Sequence, residues 1–103
     1  MDSRIAEKKD GLIALCRRYD VARLEVFGSA ARGSDFDPTR SDVDFLVKFQ
    51  AGSSLSPLRQ FFGLADEIKT LLGREIDLVE VTAIQNPYLR AGIERSRELV
   101  YGS

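Results

Sequence analysis

Asp42 and Asp44 stand one residue apart in SDVDFLVKF, and Asp77 stands between Ile76 and Leu78 in EIDLVEV. Alternation along a strand puts Asp42 and Asp44 on one face with Cα atoms about 6.6 Å apart, near enough for both carboxylates to reach one hard cation. Left bare at about 5 Å, two carboxylates repel by roughly 3 kcal/mol at an effective dielectric near 20, and by less than ~1 kcal/mol in water. They are therefore either well solvated or holding a cation. Asp77, in an otherwise apolar strand, invites a partner. If its strand lies beside that of Asp42 and Asp44, the three acids form an oxygen-only cluster that suits Mg²⁺, with a nucleotide's phosphates filling the remaining sites. Gly28-Ser29 follow an alternating run and precede a short helical segment, so backbone N–H groups and the serine hydroxyl are placed to hold phosphate oxygens. The chemistry suggested is phosphoryl or nucleotidyl transfer.

Each piece also has a bland reading: Gly-Ser as a turn, Asp-x-Asp as a solvated edge, a lone strand acid as a satisfied structural group. Their conjunction in this order is what points to a site, and composition narrows the chemistry further. The chain has 103 residues and no histidine, which excludes Ser-His-Asp and Cys-His catalysis and His-containing zinc sites. Any metal must rest on oxygen. The single cysteine, Cys16, forms no internal disulfide and fits a reducing compartment, with a cytoplasmic location expected. No apolar run approaches the ~20 residues of a membrane span, and the charged N-terminal stretch lacks the apolar region of a signal peptide. With 15 Lys+Arg against 16 Asp+Glu, the net charge of −1 supplies no global positive field, and direct nucleic-acid binding is not expected.

The elements that must position these residues follow from periodicity. Ile5, Leu12, Cys16 and Tyr19 recur at helical spacing, which predicts one amphipathic helix from Ser3 to about Tyr19, with Cys16 a buried small hydrophobe. Ala22 to Phe27 alternates and stops at Gly28, a short strand. Ala30 to Gly33 allows about one helical turn, and SDFDPTR is a loop. Ser41 to Phe49 is the second strand, with Val43, Phe45, Val47 and Phe49 on one face and Asp42, Asp44, Leu46 and Lys48 on the other. Ser56-Pro57 supplies an N-cap and a first-turn proline, after which Leu58, Phe62, Ala65, Ile68 and Leu72 form a predicted apolar stripe ending at Gly73. A third strand over Glu75 to Val81 and a last helix entered at Asn86-Pro87, carrying Leu89 and Ile93, complete the chain. The order is αβ(α)βαβα: one α/β domain over 1–103, a small sheet of about three strands flanked by helices, with strand order and direction left open.

G-S-x-A-R-G, a loop, S-D-x-D-x-x-V and a later I-D-L-V together resemble the signature of the DNA polymerase β-like nucleotidyltransferase superfamily, in its minimal single-domain (MNT) branch. PLRQFFGLADEIKTLLGREIDLV and NPYLRAGIERSRELVYG are similar to the matching stretches of such proteins, so the resemblance spans nearly the whole chain. It implies a polymerase β-like core in which Asp42 and Asp44 ligate metal and Asp77 helps to ligate metal and activates the acceptor hydroxyl. Gly28 and Ser29 would bind the triphosphate, with Arg32 as a further phosphate contact. The loop from Gly33 to Ser41 is about two residues longer than in many relatives, which bears on Arg32 and Arg40 but leaves the acids on their strand. The reaction implied is in-line attack on the α-phosphate of ATP, with two Mg²⁺ ions neutralising charge.

No domain to grip an acceptor is expected beyond the core, so the resemblance implies that the acceptor is brought by a partner. Minimal proteins of this branch are similar to the antitoxin of HEPN/MNT toxin–antitoxin pairs, in which AMP is added to a tyrosine of the HEPN toxin. Protein AMPylation in a hetero-complex is the expectation. The competing reading is an antitoxin that neutralises by masking its partner, its acids unused. Transfer to a small molecule is disfavoured because such enzymes need a further acceptor-binding domain.

Overall fold

The computed structural model describes residues 3–27, 43–81 and 97–102. Within them the chain forms α1 (Ser3–Glu7), α2 (Lys9–Arg18), β1 (Val21–Phe27), β2 (Val43–Phe49), α3 (Pro57–Leu72), β3 (Ile76–Glu80) and β4 (Glu98–Tyr101). The strands make one mixed sheet in the order β3-β2-β1-β4, with β1 antiparallel to both β2 and β4, and β2 parallel to β3. A parallel pair needs a crossover, and α3 supplies it.

The expected α/β class is present, with three local differences. The N-terminal helix is two helices: Lys8 takes φ −97° and ψ 8°, and its N–H donates to the Ile5 carbonyl at 3.0 Å, tightening the chain between them. Ile5, Leu12 and Cys16 are nonetheless buried and Tyr19 packs at the margin, as their spacing predicts. Burial pushes the Cys16 thiol up to about 12, so it stays protonated at neutral pH. Second, the sheet gains a fourth strand where the sequence reading has none. Val100 of β4 enters the core, while Leu99 on the other face remains 40% exposed.

Third, α3 is turned by about a quarter turn from the predicted stripe. Gln60, Leu64 and Ile68 face inward, and Leu58 and Phe62 are 69% and 62% exposed. The inward Gln60 is accommodated because its Nε2 donates to the carbonyl of Tyr19 at 3.1 Å, satisfying a polar group at the end of α2. Ile68 lies on both the predicted and the observed face and is fully buried. Leu58 and Phe62 instead border a groove of about 440 Å³ alongside β3.

The ends of α3 are as the sequence specifies. Ser56 accepts from the Arg59 N–H at 3.2 Å, Pro57 opens the helix, and Gly73 closes it in the left-handed region at φ 68°, its N–H donating to the Lys69 carbonyl at 2.9 Å. No atom lies within 4 Å of a Cβ built on Gly73, so substitution there tests backbone conformation alone. Gly73→Ala is expected to cost about 1 kcal/mol and Gly73→Asn less, read as midpoint shifts in urea denaturation. Equal stability of the alanine variant and wild type would refute that account.

The core lies between the helices and one face of the sheet. Leu12, Cys16, Leu64 and Ile68 pack with Leu24, Val26, Val43, Phe45, Val47 and Val100. The last helix expected from Asn86, the helical turn at Ala30–Gly33 and the loop after it lie outside the described residues.

Candidate active site

Alternation leaves each strand one face for the core and one for other work. In β2 the buried Val43, Phe45 and Val47 take the helix side, so Asp44 takes the opposite one. In β3, Ile76 and Leu78 pack against the core, and Asp77 likewise points away. The parallel register then aligns them: Val43 pairs with Ile76, Asp44 with Asp77 and Phe45 with Leu78. Register partners on neighbouring strands are about 4.8 Å apart, so the two acids sit side by side on one face. Asp44 is half-buried and Asp77 exposed.

Phe27, the last residue of β1, pairs with Asp44. The antiparallel β1 therefore ends where β2 and β3 begin, and one end of the sheet gathers Phe27, Asp44 and Asp77 in a transverse row. Of the other candidate residues, Gly28, Ser29, Arg32 and Asp42 lie outside the described residues, as does Arg40. Among the described residues, then, two acids rather than a cluster of three come together. Like charges directly opposite on adjacent strands destabilise a sheet by roughly 0.2–1 kcal/mol. The exposure of Asp77 moderates that repulsion, and a bound divalent cation would reverse it. The donors are carboxylate oxygens, with Cys16 remote in the core, which fits a hard cation such as Mg²⁺.

The next row on this face is Glu25, Leu46 and Val79. Alternation puts Glu25 on the face opposite the buried Leu24 and Val26. It is in fact 3% exposed, with Oε1 at 3.1 Å from Arg23 Nε and Oε2 at 3.3 Å from Arg97 Nε. Only the β1–β4 pairing brings Arg97 to Glu25, and no short-range pattern signals it.

The chain matches the family model described as "Nucleotidyltransferase domain" over residues 10–100. Among curated proteins it is similar to several of Methanocaldococcus jannaschii provisionally named protein adenylyltransferases. One is 38% identical over 87 residues, covering 84% of this chain and 82% of its own length. A second is 32% identical, covering 82% and 79%. Among solved structures, one described provisionally as a minimal nucleotidyltransferase superposes with a TM-score of 0.75 at 31% identity, covering 95% of both chains. The fold also matches a complex of an AMPylated Shewanella oneidensis HEPN toxin with its MNT antitoxin. That match has a TM-score of 0.64 at 19% identity and covers 95% of this chain and 72% of the other.

Proposed function

Because this chain belongs to the nucleotidyltransferase domain family, we propose that it transfers AMP from ATP to a tyrosine hydroxyl of a partner HEPN toxin, and so acts as its antitoxin. The observation that carries the reading is the side-by-side placement of Asp44 and Asp77 on the sheet face turned away from the helices. The adenylyltransferase names of the relatives support the AMP transfer, and the fold shared with antitoxins of HEPN toxins supports the partner.

Asp42, Asp44 and Asp77 would hold Mg²⁺, which supplies neutralisation of the phosphate charge and orientation of the nucleotide. Gly28 and Ser29 would grip the triphosphate through backbone N–H groups and the hydroxyl, with Arg32 as a further contact. Asp77, exposed on the edge strand, would accept the proton of the incoming hydroxyl. The acceptor oxygen then bonds to the α-phosphorus as the bond from that phosphorus to the bridging oxygen breaks. Pyrophosphate leaves with the electron pair, and no covalent enzyme intermediate is required.

The test is the intact mass of a candidate HEPN partner, supplied by the gene next to that of this chain if it encodes one, after incubation with the chain, ATP and Mg²⁺. A gain of one or more AMP units with wild type, and none with Asp42→Ala or Asp44→Ala, is the expected result. A stable complex with no mass gain would overturn catalysis in favour of masking.

A further inference from the structure

Glu25 lies on the acid-bearing face, paired with Leu46 in β2 and Leu99 in β4, and is as buried as the core. A carboxylate in such a place must be compensated, and one guanidinium would suffice. Here there are two, Arg23 and Arg97, each approaching through Nε and each with 37% of its side chain exposed. The three groups leave one surplus positive charge on this face.

The sheet register says where that charge is. Val26 pairs with Glu98 in the antiparallel β1–β4 ladder, and continuing the ladder by one residue sets Arg97 beside Phe27. Phe27 pairs with Asp44, and Asp44 with Asp77. A single transverse row therefore reads Arg97, Phe27, Asp44, Asp77, with a cation at one end and the acids at the other. At a strand spacing of about 4.8 Å, the backbones of Arg97 and Asp44 are about 10 Å apart, a gap that the arginine side chain and a chain of phosphates can bridge together.

A guanidinium presents five N–H donors in a planar fork. Beyond the Nε turned to Glu25, the Arg97 guanidinium carries four Nη N–H donors, and 37% of the side chain is exposed. We infer that Arg97 contacts the polyphosphate of the nucleotide bound at the acid pair, and that Glu25 is the positioning residue holding its guanidinium over the sheet. This rests on the nucleotidyl-transfer reading of the same site. Arg23, further along β1 opposite Lys48, keeps Glu25 compensated while Arg97 engages phosphate. Arg97 would then meet the negative charge that develops on departing pyrophosphate.

The test is calorimetric binding of ATP, tripolyphosphate and AMP, each with Mg²⁺, to the full chain. Arg97→Ala is expected to weaken ATP and tripolyphosphate by about tenfold while leaving AMP unchanged, because only the first two reach the far end of the row. Glu25→Gln should show the same selectivity to a smaller degree, and Glu25→Asp should recover part of it. A merely structural role would lower the melting temperature without this dependence on phosphate number. Unchanged ATP and tripolyphosphate binding in Arg97→Ala, or an equal loss for AMP, overturns the inference. Should Glu25→Gln fail to fold, the half-exposed Arg97→Ala still decides. Wild type that binds neither ATP nor tripolyphosphate would instead overturn the proposed function, and the inference with it.

Discussion

Asp77→Asn is expected to slow AMP transfer by at least about a hundredfold while the protein folds as before. Asparagine matches aspartate in shape but can neither accept the proton of the acceptor hydroxyl nor bring a charge to a cation. The fold should be indifferent because Asp77 is exposed on an edge strand and its alternate neighbours, Ile76 and Leu78, make the core contacts. Stability without divalent metal should even rise slightly, since the substitution removes a like charge from opposite Asp44, worth roughly 0.2–1 kcal/mol. Addition of Mg²⁺ should then raise the melting temperature of wild type more than that of the variant. Rates followed by intact mass, with thermal melts with and without Mg²⁺, check both parts. An unchanged transfer rate would remove Asp77 from the mechanism.

The second large effect falls on stability. Phe45→Ala should cost about 3–5 kcal/mol, a large fraction of the roughly 5–15 kcal/mol that holds a small domain together. Phe45 is fully buried in the middle of β2, between Val26 of β1 and Leu78 of β3 in the ladder. Close-packed surroundings relax only partly around such a truncation, so a cavity is expected to remain. The expected fall in melting temperature is upward of about 12 °C for a chain of this size. Phe45→Leu should lose markedly less. Denaturant midpoints for both variants provide the measurement, and an alanine variant within about 1 kcal/mol of wild type would contradict the central place given to this side chain. Transfer by Phe45→Ala should return toward wild type at temperatures where it remains folded, since its side chain faces the helices and the acids face away.

Much of this protein is legible along the chain. Alternation separated Phe45 and Val47 from Asp44, because opposite faces for successive side chains is a property of extended backbone and needs no knowledge of neighbours. Ser56, Pro57 and Gly73 marked both ends of α3 for a similarly local reason: they satisfy, or can adopt, what the helix termini require. The absence of histidine restricted the chemistry to oxygen donors before any fold was known.

Periodicity was weaker where two stripes competed. Leu58 and Phe62 form as regular an apolar stripe as Leu64 and Ile68 do, and the face turned inward is the one whose Leu64 and Ile68 join the core and whose Gln60 bonds to the Tyr19 carbonyl. The segment Glu98–Tyr101 is too short to announce a strand, and it becomes one because β1 offers an edge for it to pair with.

The sequence by itself determined the α/β class and the face of the strand that carries Asp44. The tertiary structure decided that Asp44 pairs with Asp77, that Arg97 reaches Glu25, and that Glu25 is buried between two arginines. The division has a physical cause: face and cap are settled within a few residues by backbone geometry, whereas register between distant strands is settled only when the whole core packs at once.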